Sequence, residues 1–423
     1  MNTSWKRDLA LFMGSQTISL LGSSLVQYAM LWHLTLQTKS GAMMTLYIIC
    51  GFVPTFILSP FAGVWADRYD RKRLIILSDA MIALITLGLA VAFMAGYEAV
   101  WLLLAGAALR AVGSAVQGPA VGAILPQIVP EDKLIRANGL NGTIQSAIML
   151  VSPLLSGALL TLASLQLIFF IDVITAGLAI SVLLVLRVAT HAKAAAKQEA
   201  GYFTDMMEGF RYIRDHRYLV SYFAYVGFFL FLISPAAFLT PLQVARSFGE
   251  DVWRLSAIEM VFSLGMMAGG ILISSWGGFR NRMHTMIGSN LVMAFCAIAL
   301  ALVPTFWLYL LVMAVFGVSM PLYNTPSAVI IQEHVEPDFL GRVFSVLTML
   351  FTSIMPLAML LFGPVADTIP IEWLLLGIGG IMVVLGSLVF RNRRLMEAGL
   401  PVVRAEEAPA SSPAGIDQSG VAG

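Results

Sequence analysis

The sequence predicts an all-α membrane protein: twelve transmembrane helices arranged as two pseudo-symmetric six-helix bundles. Three observations carry that expectation. The 423 residues are 59% hydrophobic and only 12% charged, with a mean hydropathy of +0.85, whereas soluble domains carry about 25% charge. A hydrocarbon core of about 30 Å needs about 20 apolar residues per helix, and the chain offers twelve such windows. They are long and continuously apolar, not short and alternating, so helices are expected and a barrel is not. The third observation is an internal repeat at an offset of about 206 residues: VPEDKLIR at 129–136 matches VEPDFLGR at 335–342, and Pro119 falls near Pro326.

The spans are read at about 9–36, 42–66, 73–95, 99–125, 143–163, 165–187, 219–244, 254–276, 284–304, 306–330, 343–366 and 372–390. Four segments follow from them. Residues 1–188 form an N-terminal six-helix bundle, 189–218 a linker, 219–392 a C-terminal bundle, and 393–423 a disordered tail rich in small and polar residues. The opening MNTSWKRDLALFMG runs straight into a span too long for a signal-peptide core, so it is expected to be retained as the first helix. Distributed by loop, 21 of the 25 Lys and Arg fall on the side that carries both termini, and only Lys39, Arg246 and Arg254 on the other. By the positive-inside rule both termini are expected in the cytoplasm, with the chain in the cell (inner or plasma) membrane.

Between spans two and three lies GVWADRYDRKR, six charges in eleven residues. A basic loop sets orientation, which accounts for its cations. Gly63 and Asp67 ask for more: a glycine allows close helix approach, and a carboxylate beside a neighbouring helix can bond its N-terminal N–H groups or an arginine. Such a cluster can latch one conformation. At the corresponding place in the second half Ser274 falls on Asp67, so only the first half has the full set.

Span four contains LRAVGSAVQGPA, with Arg110 about nine residues below Trp101 and hence about 13 Å deep at 1.5 Å per residue. A guanidinium in hydrocarbon is costly and marks function by default. Arg110, Gly113, Ser114 and Gln117 share one helical face. Asp172, about 10 Å from the outer end of span six by the same rise, is the carboxylate at a plausible depth to meet Arg110. Glu259, in span eight, is shallower. A carboxyl that gains or loses an arginine as helices rearrange can load and release a proton. Packing alone is the competing account of each. In span five, SPLLSG at 152–157 places a helix-bending proline among small residues.

In the linker, Phe203, Met206, Met207, Phe210 and Ile213 recur at helical spacing among charges, which predicts a short amphipathic helix on the membrane surface or against the bundle ends. Spans seven and ten contribute Tyr225, Phe229, Tyr323 and Asn324, candidates for the wall of a cavity that takes bulky apolar ligands, with packing against helices or lipid as the alternative. Cys50 and Cys296 lie inside spans and give no disulfide framework. The chain contains no Gly-Lys pair and hence no phosphate-binding loop, and its five histidines sit at span ends or in loops, so neither ATP hydrolysis, a metal site nor intramembrane catalysis is expected.

The loop resembles the signature of the major facilitator superfamily, G-x-x-x-D-R-x-x-R-[KR], matched by Gly63, Asp67, Arg68, Arg71 and Lys72; Asp70 stands where many members have glycine. SQTISLLGSSLVQYAMLWHLTLQTKSG, RANGLNGTIQ and FLGRVFSV are similar to its macrolide-efflux branch. Span four resembles the Arg-and-Gln signature of proton-coupled exporters at Arg110, Gln117 and Gly118, and Pro153 and Gly157 match the antiporter pattern G-P-x-x-G-G, with Ser152 and Ser156 for glycines. The resemblance implies a secondary active exporter, not an enzyme. It would use the proton motive force and no cofactor, and move small amphipathic molecules such as macrolides by rocking two bundles. Export of an endogenous metabolite or siderophore, or a non-transporting sensor or scaffold, are the alternatives. The partners implied are substrate and membrane lipid, with no nucleic acid, and the chain is expected to act as a monomer.

Overall fold

The computed structural model describes residues 4–186 and 202–400, apart from the side chains of Ser4, Asp67 and 202–205. It contains fifteen α-helices: α1 (Ser4–Thr38), α2 (Gly41–Arg68), α3 (Arg71–Met94), α4 (Val100–Ile128), α5 (Leu134–Leu162), α6 (Leu165–Val185), α7 (Tyr202–Asp215), α8 (Arg217–Phe238), α9 (Thr240–Ser247), α10 (Val252–Trp276), α11 (Arg282–Leu302), α12 (Phe306–His334), α13 (Pro337–Thr368), α14 (Ile371–Arg391) and α15 (Arg393–Ala398). Among the described residues there is no strand. Among the described residues twelve spans are long and apolar enough to cross a membrane. The seventh, Arg217–Ser247, comprises α8 and α9. It breaks where Pro241, in the first turn of α9, has no N–H to continue the ladder.

Short polar connections set the hairpins. Ser40 caps α2 by accepting from the Met43 N–H at 3.3 Å, after Lys39 turns the chain at φ 47°. Asp70 caps α3 by accepting from the Arg73 N–H at 3.0 Å, which is the local use of the acid that replaces the usual glycine.

The two halves repeat one packing scheme. α2 lies on α4, α3 on α4 and α6, and α1 on α5 and α6; in the second half α10 lies on α12, α11 on α12 and α14, and α8 on α13 and α14. The halves meet through α2 with α13, α5 with α10, and α1 with α9. The interiors differ. A single apolar core runs through the C-terminal bundle. That of the N-terminal bundle is divided in two, one cluster around Val26, Phe93 and Phe169 and another around Phe12, Ile75 and Leu183.

At the chain end the structure departs from the expected disorder beginning at 393. α15 folds back with Leu395 and Ala398 buried. The Arg282 N–H at the start of α11 donates to Gly399 O at 2.8 Å, and the Asn281 amide to Met396 O at 2.7 Å. The exposed donors of a helix start need acceptors, and the chain just after α14 supplies them. Residues 401–423 lie outside the described residues, as does the 189–201 part of the linker. The remainder of the linker is α7. Its buried Gly209 packs on the Arg342 backbone and Tyr212 stacks on Phe339 at 4.6 Å, while Met207 and Phe210 stay exposed. The helix therefore rests against the start of α13.

Candidate functional site

What divides the N-terminal core is a ladder of polar side chains in two layers. In the first, Asp172 of α6 is fully buried and pairs with the Arg110 guanidinium of α4. Its Oδ2 also accepts from the Thr86 hydroxyl at 2.9 Å and its Oδ1 from Ser23 at 3.1 Å. Arg110 donates further to Thr86 Oγ1 and, at 3.3 Å, to Ser23 O. A buried ion pair is tolerated when surrounding hydrogen bonds complete both partners, and α1 and α3 supply them here.

The second layer lies two helical turns away toward the side that carries the termini. Asp79 of α3 is 1% exposed, and its Oδ1 accepts from Gln117 Nε2 at 2.6 Å and Ser19 Oγ at 2.9 Å. Sequence spacing explains the stacking. Thr86 and Asp79, like Arg110 and Gln117, are seven residues apart and hence on one face, and Ser23 and Ser19 are four apart. The structure thus brings Arg110 to Asp172 and gives Gln117 a different partner, Asp79, which sequence reasoning missed. The signal was available: an acid nine residues into α3, inside a window otherwise apolar from Leu74 to Met94 apart from Ser78 and Thr86. Of the face expected for span four, Gly113 packs on the Ile82 side chain and Ser114 is exposed. Glu259 lies apart from the ladder, half-buried on α10, with no ion-pair partner among the described residues.

The bundles are sealed on the side away from the termini. Asp367, at the end of α13, accepts from Gly41 N and Ser40 Oγ at 2.7 Å and from Ala42 N at 3.0 Å, so a carboxylate of one bundle caps a helix of the other. Arg246 of α9 holds the same carboxylate at 2.8 Å and donates to Lys39 O and, at 2.6 Å, to Ala366 O. Deeper, Thr45 Oγ1 donates to Met359 O at 3.0 Å, and Gly41 and Gly363 leave no room for a side chain. Lys39 pairs with Glu250 at the rim. Where α5 meets α10, Gly157 packs on Ser256.

Toward the termini α2 and α13 part. A largely apolar cavity of about 850 Å³ opens there between Phe52, Phe56 and Phe61 on one side and Phe344 and Met349 on the other, with Met206 of α7 at its edge. The expected wall residues are elsewhere. Tyr225, Phe229 and Tyr323 are 3%, 1% and 0% exposed in the core of the C-terminal bundle, with Phe229 stacked on Tyr323 at 3.9 Å. Their aromatic area is more fully removed from water and lipid inside the bundle than it would be on a cavity wall. Asn324 is exposed.

The basic loop also differs from expectation. The space beside Gly63 is open, so no helix among the described residues crowds it. Arg71 donates at 2.9 Å to Ala66 O of α2 and to Ala123 O of α4, and Lys72 donates to Leu184 O and Leu186 O at the end of α6, at 3.1 and 2.8 Å. Cations on the carbonyl ends of helices are favoured by the helix dipole, and these clip four helices of one bundle together. Arg68 is exposed, and the side chain of Asp67 lies outside the described residues. The second half has its own clip, Arg282 Nε to Glu333 Oε2 at 3.0 Å.

Comparison with known proteins adds the following. A family model described as Major Facilitator Superfamily matches residues 12–358 and, overlapping, 236–415. Macrolide efflux protein A of Streptococcus pyogenes is 28% identical over 377 residues, covering 88% of this chain and 93% of its own. The protein of the same name from Enterococcus faecalis is 30% identical over 323 residues, 75% of this chain and 98% of its own. The Staphyloferrin A transporter of Staphylococcus aureus is 28% identical over 152 residues, 35% of this chain and 38% of its own. Among solved structures, a bacterial homologue of the iron transporter ferroportin in an inward-facing state superposes with TM-score 0.68 at 14% identity, covering 93% of this chain and all of its own. The nucleoside transporter NupG gives 0.66 at 17%, with the same coverage. At these identities the structures speak for the fold alone.

Proposed function

The chain belongs to the major facilitator superfamily, a family of transporters and not of enzymes, and from that premise we propose that it is a secondary active exporter of amphipathic compounds such as macrolides. It works as a proton antiporter by alternating access of its two bundles, with no cofactor, as a monomer. The observation that carries this reading is the pairing of a sealed side with an apolar opening on the side that holds 21 of the 25 Lys and Arg. With that basic side in the cytoplasm, the conformation is inward-open. The aromatic and methionine lining of the opening suits bulky apolar ligands taken from the cytoplasm or the inner leaflet. The likeness to two macrolide efflux proteins supports the substrate class, and the buried Arg110–Asp172 pair supplies a charged element that can rearrange between states.

The Gly63–Lys72 loop enters this reading as a latch that stabilises one state. Arg71 and Lys72 stiffen the bundle end that presents Asp67. Asp67→Asn lowers efflux at matched protein level while insertion is retained; wild-type efflux in that variant removes the latch.

The test of the main reading is accumulation of a fluorescent macrolide in cells with and without the protein, before and after a protonophore. Export predicts low accumulation that rises when the proton gradient collapses; accumulation unaffected by the protein overturns it. Single cysteines at 250 and 281 test orientation, the first labelled from outside intact cells and the second only after permeabilisation. A second reading, export of a metal-chelating metabolite, is favoured by the partial match to the staphyloferrin transporter. It predicts retention of labelled chelator in cells lacking the protein.

A further inference from the structure

The lower layer of the ladder holds a carboxyl with no countercharge. Asp79 Oδ1 has two donors, but Oδ2 is shielded from solvent and has no hydrogen-bond partner among the described residues. The helices around it offer little charge. α4 faces it with Arg110 one layer up, and that guanidinium is already committed to Asp172 of α6. α1 contributes the hydroxyls of Ser19 and Ser23. The charges at the foot of the bundle include Lys6, Arg7 and Asp8 of α1, Arg68 of α2, Lys133 and Arg136 around the start of α5, Asp70 and Arg73 beside the start of α3, and Arg71 and Lys72 there. Along α3 the last two are about two turns from Asp79, with the Arg71 and Lys72 side chains directed to backbone carbonyls of α2, α4 and α6. An ionised carboxylate so placed is costly in a low-dielectric span. A protonated one places the O–H on Oδ2 and leaves Oδ1 to accept both existing bonds.

We propose that Asp79 binds the coupling proton: Oδ2 is its site, and Gln117 connects the carboxyl to the exposed face of α4. This rests on the exporter reading and deepens it. Gln117 is half-buried, with its neighbours Ser114 and Gly118 exposed on the same helix, so the amide lies between the buried acid and the exposed face of α4. The Oδ2–H bond forms with a proton taken from water on the outer side and breaks when that proton passes to water on the inner side. Substrate crosses in the opposite sense. Arg110 sets the exchange: paired with Asp172 it leaves Asp79 to its proton, and a shift of one layer toward Asp79 would favour proton release.

The experiment is infrared difference spectroscopy on the full-length protein in detergent, stepping from acid to alkaline pH and reading the carbonyl stretch of a protonated carboxyl. Wild type is expected to show a titrating band that Asp79→Asn removes and Asp172→Asn retains. Gln117→Leu, which deletes a donor to Oδ1, shifts the band without abolishing it, a response that a packing role for Gln117 would not give. Asp79→Glu serves if the asparagine variant does not fold, and is expected to move the band. A spectrum with no such band in wild type, or one unchanged by substitution at 79, overturns the proposal. Efflux of erythromycin by the same variants separates the two layers of inference. If Asp79→Asn loses uphill efflux yet still exchanges erythromycin down its gradient, both stand. If wild type moves no erythromycin while the band behaves as expected, the substrate reading fails and the proton site remains.

Discussion

The two bundles share a packing scheme and differ in what they bury. The C-terminal bundle buries rings: Tyr222, Tyr309, Tyr323, Phe229 and Phe316 lie in one continuous core. The N-terminal bundle buries charge, and the ladder of Arg110, Asp172 and Asp79 splits its core in two. Where Arg110 stands in the first half, the repeat places Gly317 in the second, and there the glycine lets α12 lie against the backbone of α10. One copy of the packing scheme is filled with rings and the other holds polar side chains. The difference teaches that pseudo-symmetry in such a chain fixes helix positions, while the buried chemistry that separates scaffold from moving part is set independently in each half.

Four substitutions break or sharpen that contrast. The largest effect belongs to Asp172→Leu, which leaves Arg110 buried and unpaired and should cost about 3–5 kcal/mol. Adding Arg110→Met should restore most of the unfolding temperature in detergent without restoring efflux. If the single change is nearly neutral, the ladder is wetter than the contrast requires. Phe229→Ala removes the ring stacked on Tyr323 and should cost about 3 kcal/mol through the cavity it leaves. Efflux should fall only in step with the amount of folded protein; a changed substrate preference at equal folding would move the rings from scaffold to binding wall. Asp367→Ala removes the cap that α13 places on α2 and should cost about 1 kcal/mol. This is about a fivefold population shift toward an opened seal, read as faster labelling of Thr45→Cys from outside. Tyr323→Phe deletes a buried hydroxyl that faces the Tyr225 hydroxyl without a well-formed hydrogen bond among the described residues, so stability should change by less than about 1 kcal/mol.

The sequence carried the fold almost whole, because twelve apolar windows follow from membrane thickness and the 206-residue repeat marks the two halves. Arg110 was legible because charge is costly in lipid, and depth alone made Asp172 its plausible partner. Asp79 escaped because a span that begins beside a basic loop hides an acid only about two turns in, close to where interfacial acids are common. The rings of α8 and α12 could not be assigned to core or cavity from the sequence, since in a membrane helix every face is apolar and periodicity loses its contrast. Residues 393–400 read as tail by composition. Their structure comes from the unfilled donors at the start of α11, which no local window reveals.

The sealed side holds one more consequence. Arg246 and Asp367 bond each other across it, yet both belong to the C-terminal bundle, and α9 is anchored there through Gln243, which donates to Leu300 O at 2.9 Å and accepts from the Tyr309 hydroxyl at 3.0 Å. When the halves part, this cation and carboxylate travel together. What must be given up is the cap on α2, the contacts to Lys39 O, and the exposed Lys39–Glu250 pair. That last pair is the most exposed of these and the one most open to screening by salt. On the proposed alternating-access reading this side should therefore open at nearly the same rate in dilute and concentrated electrolyte, and a molecule passing it should meet a rim whose strongest charges are already neutralised by one another.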